Sequence, residues 1–262
     1  MQNIHPTAII EEGAVIGNNV TIGAFAYISS KVKIGSGTTV ASHVLLEGDT
    51  QIGKNNRIFS HAVVGSIPQD LKFDGEDVKL VIGDDNTIRE FTLINPGTEG
   101  GGGVTRIGSG NLLMGYVHVG HDVIIEDHCI LANAANLGGH VEIGNRVVIG
   151  AMSAIHQFVK LGDYAMLAGA SALTQDLPPF CMAEGNRATL RGLNLTGLRR
   201  NLPREAIDEL KNAYRELFGQ GLPVQECAKQ LSKNSNSIYI AQLSEFIINT
   251  KRGIPFVRSQ NV

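Results

Sequence analysis

Residues 107–173 read IGSGNLLMGYVHVGHDVIIEDHCILANAANLGGHVEIGNRVVIGAMSAIHQFVKLGDYAMLAGASAL, and every sixth position is aliphatic: Ile107, Leu113, Val119, Ile125, Leu131, Leu137, Ile143, Ile149, Ile155, Leu161, Leu167 and Leu173. Apolar residues make up 43% of the 262 residues. A twelve-fold run therefore arises by chance at roughly one starting point in twenty-five thousand, and a fixed period outweighs local propensity. The same frame runs from Ile4 through Ile10, Ile16, Ile22, Ile28, Ile34, Val40, Leu46, Ile52 and Ile58 to Val64, and resumes at Ile82, Ile88 and Ile94.

The positions around each aliphatic explain what the period builds. The next residue is often Gly (Gly17, Gly35, Gly120, Gly138, Gly150), and the residue two before it is small or short-branched (Ala14, Val32, Val117, Cys129, Ala135). One large and one small inward side chain per hexad suits a narrow prism with sharp corners. Three hexads make one triangular coil of eighteen residues, and successive coils stack as parallel strands about 4.8 Å apart. The period resembles that of the left-handed parallel β-helix; the handedness rests on that resemblance, since the period alone does not supply it.

Composition agrees with a mainly β solenoid. With 31 Gly, no Trp and 5% aromatic residues, the chain buries a long thin aliphatic core. A net charge of −3 gives no case for nucleic-acid binding. Met1–Asn3 runs straight into the first hexad, without the charged and apolar regions of a signal peptide, and no uninterrupted apolar stretch approaches a membrane span. A soluble, cytoplasmic protein is expected. The three scattered cysteines fit this, and Cys129 falls in the small inward slot, where it serves packing.

The hexads stop at Gln175–Asp176–Leu177–Pro178–Pro179. Beyond them Ile207, Leu210, Tyr214, Leu217 and Phe218 fall at helical spacing after Pro203, with a shorter helix between Val224 and Lys233 and another from Ile238 towards Gly253. The expected organisation is a β-helix over 1–185 and a helical domain over 186–262 that covers an open sheet edge. Two interruptions predict external loops, near 65–81, where Asp70 and Glu76 replace frame aliphatics, and near 95–106, where the frame slips through Gly97–Gly103. That glycine run lacks the Lys-Ser/Thr ending of a P-loop and reads as a flexible loop.

Histidines give the sharpest chemical clue. Val119, Leu137 and Ile155 stack on one face, which brings His118, His121, His140 and His156 within a few residues of each other on adjacent rungs. His5, His43, His61 and His128 form no such column and read as surface or packing residues. A neutral imidazole can take a proton from a hydroxyl, and an adjacent carboxylate can fix its tautomer. His121–Asp122 offers that pairing if a corner lets the side chains meet, which strand alternation opposes. From spacing alone, catalysis, a hydrogen-bonded polar ladder and a zinc site with one open position all stay open.

The resemblance becomes specific in Gly115–Tyr116–Val117–His118–Val119–Gly120–His121–Asp122, Ile130–Leu131–Ala132–Asn133, Leu137–Gly138–Gly139–His140–Val141, Ala154–Ile155–His156–Gln157–Phe158 and Glu184–Gly185–Asn186–Arg187–Ala188. Joined with Gln69–Asp70–Leu71–Lys72, the Pro178–Pro179 exit and the helical tail, these segments resemble the acyl-carrier-protein-dependent UDP-N-acetylglucosamine O-acyltransferases that open lipid A biosynthesis. The resemblance implies transfer of an (R)-3-hydroxyacyl group from the phosphopantetheine thioester of acyl carrier protein to the glucosamine 3-hydroxyl of a UDP-sugar. It implies no metal and no other cofactor. His121 matches the general base, Asp122 its partner, and the Gly139 N–H the oxyanion donor. Gln69, Asp70, Lys72, His118, His140, His156 and Gln157 match sugar-nucleotide positions, Asn194 and Arg200 nucleotide contacts, and Gly169 the residue limiting acyl length. A homotrimer with sites between adjacent chains is implied as well.

Plainer readings stand beside these. Asp70 and Lys72 suit a solvated loop, Asn194 a local cap, Arg199–Arg200 a solvated face or a dock for acidic carrier protein, and Gly169 simple packing. Asn95 and Thr196 depart from the family's histidine and glutamate, and Asn201 from a second arginine, so a 3-amino sugar giving an amide is an alternative acceptor. Remote alternatives are a zinc-dependent hydratase similar to γ-class carbonic anhydrases, a non-catalytic binding solenoid, and a sister enzyme that N-acylates a glucosamine.

Overall fold

The computed structural model describes residues 3–219 and 223–256. The chain winds as a left-handed parallel β-helix of three sheets, here named A, B and C in the order the chain first visits them. Among the described residues sheet A has eleven strands, sheet B nine and sheet C eight. Most strands are two residues long, an outward residue followed by a buried aliphatic, as in His118–Val119 and Asn136–Leu137. In the regular stretch each strand pairs with the one eighteen residues on: His118 with Asn136, and Asn136 with Ala154. The frame aliphatics are almost fully inaccessible from Ile22 onward. Burying each one contributes roughly 1.5–3 kcal/mol, so the repeated pattern itself supplies the stability.

Corners separate the sheets, and many place a non-glycine residue in the left-handed region. On the corner between sheets B and C these are Asp122, His140 and Phe158, at φ 59°, 60° and 65°. Both expected loops leave this corner. Sheet C strands there begin early, at Lys79–Ile82 and Val104–Ile107, so the loops span 65–78 and 95–103 and are shorter than the interruptions suggested. The second is no slack tether: it contains a helical turn at Glu99–Gly101.

The expected helical stretch from 186 begins differently. Cys181–Glu184 continues sheet A in parallel with Met166–Leu167, and Thr189–Leu193 folds back antiparallel on it. This hairpin, not a helix, covers the open edge of sheet A. Helices follow as α1 (Leu195–Asn201), α2 (Arg204–Gly219), α3 (Val224–Asn234) and α4 (Ile238–Asn249). The chain then returns over the solenoid end, where Thr250 Oγ1 donates to buried Asp176 (2.6 Å) and Asp176 N donates to Gly253 O (2.9 Å).

Candidate active site

The left-handed turn at Asp122 answers the question that alternation left open. It swings the Asp122 carboxylate back beside the preceding ring, and His121 Nδ1 lies 2.8 Å from Asp122 Oδ2. The Asp122 side chain is 1% exposed, against 17% for His121. Thr98 anchors the carboxylate through its N–H to Oδ1 (2.9 Å) and its hydroxyl to Oδ2 (2.6 Å), and Asp122 N donates to Thr105 Oγ1 (2.8 Å). The glycine-rich loop is therefore the clamp on the carboxylate. A side chain at Gly101 would collide with that carboxylate, so only glycine lets the loop close over it.

With Nδ1 engaged by a carboxylate, the His121 proton sits on Nδ1 and Nε2 is left as the basic atom. Nε2 faces Gly139 on the next coil, where a Cβ would stand only 2.5 Å away. No protein acceptor among the described residues meets the Gly139 N–H. The comparable N–H groups of Ser109 and Asn145, on the corner between sheets C and A, are filled by Asp127 (2.6 Å) and Asp163 (2.7 Å). A basic nitrogen and an uncommitted N–H thus share one small space.

His140 completes the cluster. Its ring meets His121 edge-on at 5.0 Å and stacks on Phe158 at 4.3 Å and 6°. Burial holds the His140 imidazole below its usual pKa, as does the charge of His121, against opposing attraction from Asp122 and Asp70. Burial, then His121, also lowers His118 on the outer face of sheet B. Both rings favour the neutral form in the native state, so the unfolded chain binds more protons and stability rises with pH across this range. Their contribution is complete above the ordinary histidine range and is lost as pH falls through it. The melting temperature is expected to drop between roughly pH 7.5 and pH 5.5, and to drop less in His140→Gln.

His140 faces a cleft of about 750 Å³ whose other walls include Asp70, Lys72, Glu76, Thr98 and Phe158. Other expected site residues are placed differently. Gln69 is exposed and does not line the cleft. His156 and Gln157 are exposed on the coil above, where Arg252 Nη2 donates to His156 Nδ1 (3.3 Å). Asn194 is buried; it caps α1 by accepting from Gly197 N (3.1 Å) and donates to Tyr164 O (2.9 Å). Arg200 is exposed on the same helix, which sits on the corner between sheets C and A, where Arg146 Nη1 donates to Asn201 Oδ1 (3.2 Å). One chain alone does not bring that corner to His121. Gly169 lies on the third corner, between sheets A and B, at the far side of sheet B's outer face from His121.

Asn95 is buried, and its amide donates to Ser66 O and Ile67 O (both 3.1 Å), fastening the first loop. Thr98 and Arg252 were not legible as partners of the cluster, because loops and the returning tail have no register with the frame; Phe158, eighteen residues after His140 on the same corner, was in register. The 18-residue spacing did hold a missed signal: His43 and His61 stack on one another at 5.0 Å, in a second column. His121, Asp122 and His140 carry ligand atoms within 4.8 Å of one another, a possible metal set. Asp122, however, already accepts from Thr98 twice and pairs with His121. Thr98→Val leaves a buried carboxylate oxygen short of a donor, which costs roughly 1–3 kcal/mol. Turnover is expected to fall about tenfold with KM little changed, as steady-state kinetics would read.

The fold and the paired groups define a hexapeptide-repeat transferase, and the family model described as bacterial transferase hexapeptide matches residues 13–48 and 105–139. The second domain of UDP-N-acetylglucosamine O-acyltransferases matches residues 176–255. The chain belongs to the UDP-N-acetylglucosamine O-acyltransferase family. It is 63% identical over 259 residues to the acyl-[acyl-carrier-protein]–UDP-N-acetylglucosamine O-acyltransferase of Aliarcobacter butzleri, covering 98% of this chain and 100% of that one. To the Sulfurovum sp. enzyme of the same name it is 66% identical over 258 residues, covering 98% and 99%. The solved UDP-N-acetylglucosamine acyltransferase from Campylobacter jejuni superimposes with a TM-score of 0.94 at 48% identity, covering 98% of this chain and 100% of that one.

Proposed function

We propose that this chain transfers an (R)-3-hydroxyacyl group from acyl carrier protein to the 3-hydroxyl of UDP-N-acetylglucosamine, the opening step of lipid A biosynthesis. The observation that carries the reading is the facing of His121 Nε2 and the Gly139 backbone, with Asp122 behind the ring. His121 Nε2 takes the proton of the sugar 3-hydroxyl as its oxygen attacks the thioester carbonyl. The carbonyl oxygen gains negative charge and meets the Gly139 N–H. Collapse of the tetrahedral intermediate breaks the carbon–sulfur bond, and the leaving phosphopantetheine sulfur takes the proton from the imidazolium. Asp122 stabilises that imidazolium without being protonated.

Asp70 and Lys72 in the cleft wall suit a nucleotide sugar, with His118, His140, His156 and Gln157 along the adjoining coils. Asn194 and Arg200 fit the nucleotide end only when supplied by a neighbouring chain, which supports a homotrimer with sites between copies. Gly169 suits the far end of an acyl groove across sheet B, whose outer residues there are the small Ala154 and Ala172. No helix among the described residues is long and apolar enough to cross a membrane. Together with three buried free cysteines, this suits work in the cytoplasm.

The engaged state of Asp122 favours chemistry without a metal. Thiol release from (R)-3-hydroxyacyl carrier protein is expected to require UDP-N-acetylglucosamine and to be unchanged after dialysis against EDTA. Thiol release that vanishes with the chelator and returns with zinc would overturn the reading.

A further inference from the structure

The return of the chain over the end of the solenoid brings one arginine onto the corner above His121. Eighteen residues separate Gly138, His156 and Thr174, so the three stand on successive rungs, with His156 about 4.8 Å above Gly138. The tail is fixed to the top of this stack. Thr250 Oγ1 donates to Asp176 Oδ2 (2.6 Å), Asp176 N to Gly253 O (2.9 Å) and Gln175 Nε2 to Arg252 O (3.3 Å). Half-buried Arg252 then spans two rungs, its Nε donating to Thr174 O (3.1 Å) and its Nη2 to His156 Nδ1 (3.3 Å).

His156 Nδ1 has a second neighbour, Gln157 O, at 3.1 Å. The two contacts demand opposite states of one nitrogen. A carbonyl only accepts, so it calls for a proton on Nδ1; a guanidinium only donates, so it calls for a bare lone pair there. A protonated Nδ1 would set one N–H against the N–H groups of a permanently charged side chain. A hydrogen bond from an ionised donor is roughly twice as strong as a neutral one. Arg252 therefore holds the lone pair of Nδ1, and the proton of the neutral ring sits on Nε2.

We propose that Arg252 is a positioning residue that selects the Nε2–H tautomer of His156, so that the ring offers a donor to an oxygen of the bound nucleotide sugar. The proposal rests on the reading above that places His156 among the sugar-nucleotide contacts. Without Arg252 the ring proton moves to Nδ1 and bonds to Gln157 O, and Nε2 presents a lone pair to the oxygen it should hold. The returning tail thus acts on binding through the position of one proton.

The tautomer can be read directly. The full chain, with 15N in its histidine rings, is measured by NMR at about pH 8, where an unperturbed imidazole is neutral; His156→Ala identifies the signal. Nε2–H is expected in the parent and Nδ1–H in Arg252→Met. KM for UDP-N-acetylglucosamine is expected to rise about tenfold in Arg252→Met with kcat within about twofold, by a similar factor in His156→Ala, and no further in the double variant. Lys251→Met, which removes the adjacent exposed charge, should keep the parent values. Nδ1–H in the parent, or the same tautomer in the parent and Arg252→Met, overturns the proposal, and the parent spectrum stands even where a variant melts early. A KM penalty for Arg252→Met that persists in full beside His156→Ala overturns it too. Unchanged KM in His156→Ala overturns instead the sugar-nucleotide role of His156 on which the proposal rests.

Discussion

His121→Ala is expected to fold as the parent does and to transfer acyl groups about 10²–10⁴-fold more slowly, the range a positioned general base supplies. The loss should fall on kcat, because in the proposed mechanism the ring meets the reacting hydroxyl and not the nucleotide. Folding should be spared, since His121 sits at a corner outside the aliphatic core and its side chain is still 17% exposed. The buried Asp122 would keep both bonds from Thr98 and lose only its bond to the ring. Steady-state kinetics beside a thermal melt would separate the two effects. A variant that melts with the parent and retains full kcat would remove His121 from the chemistry.

Gly139→Val should be comparably damaging by a different route. A Cβ at this position stands 2.5 Å from His121 Nε2 and 2.6 Å from its Cε1, so the ring has to move. Displacing a reacting group by about 1 Å costs on the order of 10²-fold in rate. The added branches of valine also crowd the N–H that would meet the oxyanion. Gly139→Ala is expected to lie between Gly139→Val and the parent in kcat, with all three melting within a few degrees. Equal rates in all three would contradict a shared space for base and carbonyl.

The architecture was legible because the period of six is a packing requirement repeated at every coil. Each frame aliphatic from Ile22 to Leu173 that lay in register is buried where the period put it. The histidine cluster was legible for the same reason, since eighteen residues return the chain to one face. The contact of His121 with Asp122 was not, because it depends on the left-handed backbone at Asp122, and sequence spacing carries no dihedral. Thr98 was hidden for a related cause: a loop outside the repeat has no register, and its glycines looked like slack when Gly101 is a close approach. The hairpin strand Thr189–Leu193 shows no alternation of buried and exposed residues, and the seven-residue α1 is shorter than helical periodicity needs. Asn194 shows how one residue type serves two readings, since its amide already caps a helix.

The identity of the product tests the acyl transfer most sharply. The parent chain is incubated with (R)-3-hydroxyacyl carrier protein and UDP-N-acetylglucosamine, and the sugar nucleotide is analysed by mass spectrometry before and after mild alkali. The expected product is a UDP-sugar heavier by one hydroxyacyl group, joined through the 3-oxygen as an ester that alkali removes, and absent with His121→Ala. An unmodified UDP-N-acetylglucosamine after incubation with folded parent chain would contradict it.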